Sequence, residues 1–446
     1  MLSYLTTNPI IDVAIVLGTL VFIHEFGHYA AAKLFGVRVE VFSLGFGKRL
    51  FGFRRGDTDY RVSALPLGGY VKMSGENPME ASTGDPGEFM AHPRWQRFII
   101  AIAGPAMNIL LSVVALTVVF TVHYEHAFFL DQPAVIMAVT DSSSAAKIGL
   151  QPGDRIVRVD GTDDPTWETV RNQMLISTGD PFRFEVQRGN QAFTKEVTLT
   201  STDVDPLDQL GIVPYQPFKI TEIAPDMPAG KAGFQVGDEV VSVDGKPVRY
   251  TPEFSAVLQE TKDKPVVVQV RRNGTLLNFT ITPELKQEEG KSYYRAGFLS
   301  EPVHVDRLSV PAAFVKSLEA NKKFSLLIVE VLQKLVQKPG AIRKMSGPIG
   351  IAQQSGKAAQ EGILPFIMFM SFVSLNLGIF NLLPIPILDG GLILLLVVEG
   401  VMRRDIRREV KERVYQAAFV FLIIFAAVVI YNDITKTALG RLLPHM

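Results

Sequence analysis

The stretch IIDVAIVLGTLVFIHEFGHYAAA, residues 10–32, decides how the rest of the chain is read. It is apolar enough and long enough to lie across a bilayer, yet it contains H-E-x-x-H at His24, Glu25 and His28. On a helix, residues four apart share a face, so both imidazoles can grip one zinc ion while Glu25 takes a proton from an attacking water. A chain with 7 His and 45 acidic residues in 446 positions would hold on the order of 0.01 such motifs by chance. Two histidines and a glutamate capping a buried helix are the plainer alternative. Membrane burial weakens it, because a charge at mid-bilayer costs about 2.5–3.5 kcal/mol and calls for a compensating partner such as a metal. The motif therefore points to a metalloprotease that cuts peptide bonds within the membrane.

Working outward, the apolar residues fall in four blocks: Ile10 to Ala32, Phe98 to Val122, Ile363 to Leu383 and Tyr415 to Tyr431. Each approaches the roughly 20 residues that cross a bilayer, so a polytopic α-helical membrane protein with four transmembrane helices is expected. No Lys or Arg precedes the first block and no small-residue cleavage site follows it, so it is expected to stay in the mature protein rather than leave as a signal peptide. Ten Lys and Arg lie between Lys33 and Arg97, and six between Arg403 and Arg413. Both loops read as cytoplasmic. The N-terminus, the long segment from His123 to about Gly362 and the C-terminus then lie outside, and the active site lies near the cytoplasmic side. Formal charge sums to zero, which gives no reason to invoke nucleic acid. Cysteine is absent, excluding disulfides and thiol catalysis. Nothing in the sequence implies an oligomer.

Zinc needs a third protein ligand and an open position. The third block enters in the same direction as the first and ends in N-L-L-P-I-P-I-L-D-G-G, residues 381–391, which puts Asp389 at a depth similar to the two histidines. Pro384 and Pro386 break the helix before it, and the freed backbone groups are tolerated only inside protein or beside a water-filled cavity. The alternative for Asp389 is a simple helix cap before the apolar run from Leu392.

With these residues in view, the chain resembles the site-2 protease family of intramembrane zinc metalloproteases. The resemblance covers nearly its whole length: H-E-F-G-H at 24–28, G-F-G-K at 45–48, P-L-G-G-Y-V-K-M at 66–73, G-P-A-M-N at 104–108 and the 381–391 stretch. It implies His24, His28 and Asp389 as zinc ligands, Glu25 as catalytic acid/base and Asn381 near the scissile peptide. It further implies a bacterial inner membrane protein acting on single-span membrane proteins already trimmed outside. An anti-sigma factor of envelope stress signalling and remnant signal peptides are the substrates it suggests.

The external segment carries a gapless repeat at an offset of 84 residues: G-L-Q-P-G-D-R-I-V-R-V-D-G from Gly149 and G-F-Q-V-G-D-E-V-V-S-V-D-G from Gly233. Short β-rich stretches follow each copy, so two tandem β-rich PDZ domains are expected, at 124–209 and 210–300. They lie between transmembrane helices 1–2 with the H-E-x-x-H motif and a cytoplasmic β-loop (1–123), and amphipathic linker helices leading into transmembrane helices 3–4 (301–446). Leu210-Gly211-Ile212 is read as a weak carboxylate-binding loop opening the second copy. That weakness favours the PDZ pair as a size filter over a peptide receptor. The stretch Tyr60 to Met73 reads as a hairpin around Gly68, Gly69 and Tyr70. Its membrane association follows from the family resemblance, and its edge could hold an unwound substrate by backbone hydrogen bonds. A plain solvent-exposed hairpin is the alternative.

Two rivals come from other classes. A PDZ-bearing membrane scaffold with a vestigial metal site would not need His24, Glu25, His28 and Asp389 intact. A metal transporter would spread buried acidic and histidine residues over its spans, whereas these carry one cluster.

Overall fold

The computed structural model describes residues 9–76, 83–200, 205–215, 218–288, 291–300, 303–337 and 347–436. The chain divides into two compact units, one made of Met1–His123 with Arg307–Met446 and the other of Tyr124–Asp306.

In the first unit the apolar blocks become helices, the conformation that satisfies every backbone N–H and C=O within its own segment. They are α1 (Pro9–Leu34) and α2 (Arg94–Val122), then α3 (Val310–Gln337), α4 (Pro348–Glu361), α5 (Ile363–Asn381), α6 (Asp389–Met402) and α7 (Arg408–Lys436). Four of these, α1, α2, α5 and α7, are long and apolar enough to cross a membrane. Helix α2 is the hub, packing against α1, α3, α5 and α6. Small residues let it approach: a Cβ on Gly27 would strike the Ala103 carbonyl, and one on Gly378 would lie 3.0 Å from the Pro105 carbonyl oxygen. Hydroxyls tie the C-terminal half of α2 to its neighbours. Ser112 Oγ donates to Asn321 Oδ1 of α3 at 2.6 Å and lies 2.9 Å from Ser371 Oγ of α5. Thr117 Oγ1 donates to Ser317 Oγ at 2.9 Å. Helix α3, in the segment expected to hold amphipathic linker helices, thus docks a polar stripe on α2. Helix α7 exposes Phe419, Val420, Phe421, Ile423 and Ile424 along its middle. It is pinned at its ends, by Lys411 Nζ to Glu399 Oε1 of α6 at 2.6 Å and by Asp433, whose carboxylate accepts the N–H groups of Gly347, Ile349 and Gly350 at the start of α4.

Between α1 and α2 lie two long strands, β1 (Val39–Arg55) and β2 (Thr58–Met73), paired antiparallel. The turn falls at Gly56-Asp57, with Gly56 at φ +61°, rather than at Gly68-Gly69. Tyr60 to Met73 is therefore one strand, and Gly68 and Gly69 bend it. Phe42 faces both Val71 and Tyr60, so the first half of β1 is flanked on one side by the end of β2 and on the other by its beginning. This leaves the Gly69–Met73 segment beside α1.

The second unit holds two β-rich cores. The first gathers Ile156, Val170, Met174, Phe184, Val186 and Val197, and the second Val240, Phe254, Leu258, Val268, Val270 and Ile281. Each member of the second set lies 84 residues after its counterpart, so the repeat seen in thirteen residues extends through the packing of both cores. Ion pairs repeat too: Arg188 Nε donates to Asp154 at 2.6 Å and Arg272 Nε to Asp238 at 2.7 Å. Burial alone would raise the Asp238 pKa, but the Arg272 hydrogen bonds and the Gln235 N–H together outweigh it and hold the carboxyl below the usual range. Strand Ile212–Pro214 pairs with Ile136–Val139, and Phe298–Leu299 pairs with Glu222–Ile223. Leu210 and Ile212 thus pack in the first core instead of opening the second, and their counterpart is Ala296-Gly297-Phe298. Periodicity could not assign them, because the closing strand of each core is paired with its opening strand across the whole repeat. Strands β3 (Tyr124–Ala127) and β4 (Val303–Asp306) pair at the ends of this unit.

Candidate metal centre and active site

His24 and His28 sit one turn apart on α1, both buried. The chain after α5 turns at Leu382 to Leu388 and re-enters a helix at Asp389, the first residue of α6. Its carboxylate is not at the N-cap position, which Leu388 holds. It turns to the histidines, with His24 Nε2 at 3.1 Å from Oδ2 and His28 Nε2 at 3.4 Å from Oδ1. The two Nε2 atoms are 3.2 Å apart. The position of Asp389 depends on glycine: a Cβ on Gly390 or Gly391 would run into backbone carbonyls of the preceding turn.

The donor set fits a zinc ion. Ligand atoms about 2.0–2.1 Å from a tetrahedral centre lie roughly 3.3 Å from one another; the two Nε2 atoms at 3.2 Å match that value, and each lies 3.1 or 3.4 Å from one of the two Asp389 oxygens. The proton inventory agrees. His28 Nδ1 donates to the Ile100 carbonyl at 2.8 Å, leaving the lone pair on Nε2. Lone pairs from two imidazoles and a carboxylate then face one point, and a metal ion satisfies all of them together. Among the described residues this is the one cluster of three metal-binding side chains.

Glu25 lies beside it, and its Oε2 accepts the Val71 N–H of β2 at 2.9 Å. A cavity of about 400 Å³ opens here, lined by Glu25, Gly68, Gly69, Tyr70, Asn381 and Asp389 among others. Asn381, the last residue of α5, has Nδ2 3.5 Å from His24 Nε2. A Cβ on Gly68 would strike the Phe46 ring, which stacks on Tyr70 with centroids 6.0 Å apart. Glu76, in the turn after β2, also lines the cavity; loss of water pushes its carboxyl above the usual range, against the pull of the Met73 N–H.

All eight residues singled out from the sequence therefore line one cavity or its floor. The sequence reading missed the groups behind them. Ile100, Gly104 and Asn108 recur every fourth residue on one face of α2, and all three face the histidines: the Ile100 carbonyl takes the His28 proton, Gly104 leaves room for the His28 ring, and the Asn108 side-chain amide lies 3.3 Å from His24 Nδ1. The stretch G-P-A-M-N contained the signal, but a backbone carbonyl and an absent side chain have no spelling of their own.

A polytopic helical membrane protein carrying H-E-x-x-H and a distant aspartate at one point has the form of a membrane-embedded zinc peptidase. The chain belongs to peptidase family M50, whose profile matches residues 12–425, and it is a site-2-type zinc metalloprotease. It is 33% identical over 448 residues to the regulator of sigma-E protease RseP of Salmonella typhimurium, covering 95% of this chain and 97% of that one. It is 32% identical over 462 residues to the regulator of sigma-E protease RseP of Escherichia coli, covering 98% and 100%. A Vibrio cholerae relative bearing a zinc metalloprotease name is 32% identical over 452 residues, covering 95% and 97%.

Proposed function

We propose that the chain hydrolyses a peptide bond within the transmembrane segment of single-span proteins, with His24, His28 and Asp389 as zinc ligands and Glu25 as acid/base. The observation that carries this reading is the convergence of three ligand atoms beside a glutamate at the end of helices long enough to span a bilayer. Bound there, zinc supplies Lewis acidity that polarises a peptide carbonyl and makes water acidic enough to attack near neutral pH. Glu25 takes the proton from that water and delivers it to the leaving nitrogen. Asn381 donates its amide to the substrate backbone. A transmembrane helix hides its own peptide bonds, so it must unwind. Gly68, Gly69 and Tyr70 receive the unwound stretch as an added strand, a role supported by their lining the same cavity as Glu25.

The β-rich repeats are read as PDZ domains that stand outside the cytoplasm, in the periplasm of an inner-membrane protein, and act as a size filter, sparing substrates until an external domain has been trimmed. An anti-sigma factor is the substrate class suggested by the names of the relatives, and leftover signal peptides are a further one. A second reading, capture of a new C-terminus, draws on a groove of about 1160 Å³ in the second core, lined by Met227, Phe254, Leu258, Phe298 and Leu299. One experiment separates them, using Glu25→Gln protein as the blank, which should bind zinc and cleave at least ~100-fold more slowly. Replacing residues 129–301 by a short Gly/Ser turn keeps the β3–β4 ribbon, whose strands pair Ala127 with Val303. The filter reading expects this variant to cut untrimmed substrate. The capture reading expects slow cleavage of trimmed substrate, and an inserted variant that cuts a bare transmembrane peptide yet spares untrimmed substrate refutes the filter.

A further inference from the structure

His24 contributes Nε2 to the candidate metal point, since that atom, not Nδ1, lies 3.1 Å from Asp389 and 3.2 Å from His28 Nε2. A neutral imidazole has one N–H, so a nitrogen that offers its lone pair to a metal leaves the proton on the other. That proton needs an acceptor, because the ring is buried. For His28 the acceptor is the Ile100 carbonyl. For His24 Nδ1 the neighbour is the side-chain amide of Asn108 at 3.3 Å, on a residue with no exposed surface. The two ends of a carboxamide have the same shape, and the proton inventory decides between them. An NH2 group aimed at Nδ1–H would set donor against donor, and it would leave Asn108 Oδ1 buried with no partner at all, as it is when the amide points that way. Rotating the amide places Oδ1 on the Nδ1 proton.

We propose that Asn108 is a positioning residue that accepts the His24 Nδ1 proton on its side-chain carbonyl, fixing the tautomer and ring orientation in which Nε2 meets the metal. The inference rests on the reading of His24 as a zinc ligand. Asn108 stands two turns from Ile100 on the same stripe of α2, so one helix face supplies the acceptors for both histidines. The backbone of Asn108 serves a different contact, in which its carbonyl accepts from Ser374 Oγ of α5 at 2.8 Å, and substitution of the side chain leaves that contact in place.

The test is zinc affinity by chelator competition on the purified, detergent-solubilised full chain, with the spectrum of the cobalt-substituted protein as a second readout. Asn108→Leu keeps size but has no acceptor, and affinity should fall about 10- to 100-fold, the usual effect of losing an outer-shell partner of a ligating histidine. Asn108→Asp restores an acceptor, and its affinity should match or exceed the original. Ser374→Ala, which removes only the helix–helix contact, should leave affinity unchanged. Equal losses in the leucine and aspartate variants, or none in the leucine variant, overturn the proposal. Should leucine prevent stable insertion, Asn108→Ala carries the same comparison with aspartate. His24→Ala separates the two levels of inference. If it abolishes zinc binding while Asn108→Leu does not, only the role of Asn108 fails; if it leaves zinc affinity intact, the ligand reading of His24 fails first.

Discussion

Gly104→Ala sets two physical effects against each other. Alanine in a helix interior is favoured over glycine by about 1 kcal/mol, so propensity alone predicts a slightly more stable α2. Space predicts the reverse. A Cβ at position 104 would overlap His28 Nε2 and stand 2.6 Å from Cε1 and 2.8 Å from Cδ2, where ordinary contact begins at 3.4 Å. The Cε1 contact alone is about 0.8 Å short. The ring cannot swing away freely, because its Nδ1 is tied at 2.8 Å to Ile100, on the helix that bears the intruding methyl group. Moving it by that amount would stretch the bond to about 3.6 Å, beyond hydrogen-bonding distance. It would also take Nε2 well outside the roughly 0.2 Å tolerance of a metal ligand. We expect at least a ~10-fold loss of zinc affinity and a ~100-fold loss of cleavage, the usual scale for an ångström of misplacement. Zinc content and cleavage of a transmembrane substrate should be measured beside Gly400→Ala, a helical glycine whose added Cβ meets nothing within 4 Å and which should behave as wild type. Gly104→Ala protein with cleavage within about 3-fold of wild type would refute the packing argument.

Asp389→Asn makes an acceptable helix start but a poor zinc ligand, so zinc affinity and cleavage should both collapse; wild-type occupancy with normal turnover would reject the aspartate as a ligand. In the second β-rich core, Asp238 is 1% exposed at its side chain and its pKa is held down by Arg272, so its contribution to stability is present above the ordinary carboxylate pKa of about 3.9 and is lost as pH falls through the lower folded value. Arg272→Met should destabilise that core by about 3 kcal/mol at neutral pH, read as faster hydrogen exchange over 266–272, and should flatten its acid sensitivity; unchanged exchange at both pH values would show that the pair contributes nothing.

How much of this was legible in the sequence depends on the range of the interaction that fixes each part. The four membrane helices were readable because hydropathy in a bilayer is a local property with a fixed length. His24, Glu25 and His28 were readable because helical spacing alone brings them together. Asp389 could be found only by matching depths of two spans running the same way. The hairpin turn was misplaced from Gly56 to Gly68-Gly69 because two glycines signal a turn more strongly than one, yet here they serve a bend where β2 passes Phe46. The repeat located the cores but not their boundary, since the strand that closes each one is added after the repeating segment. The acceptors on α2 were out of reach, because which face of one helix meets which face of another is decided by packing.

That packing also bears on how water can act inside a membrane protein. Hydroxyls on the C-terminal half of α2 are consumed by Asn321, Ser371 and Ser317, so they offer little to hold water. Farther along the same helix, Asn108 and the Ile100 carbonyl are turned to the histidines instead. The cavity that reaches His24 and Glu25 is walled by Gly68 to Val71 and by Glu76. In the proposed reaction, water and the unwound substrate therefore share an approach along β2, and the N–H that holds Glu25 comes from that same strand. A strand added at this edge would meet the acid/base and the metal from one side. On that reading the rest of the substrate would stay helical in the surrounding lipid, where an unwound backbone would go unsatisfied, and this would confine hydrolysis to residues that have already left the helix.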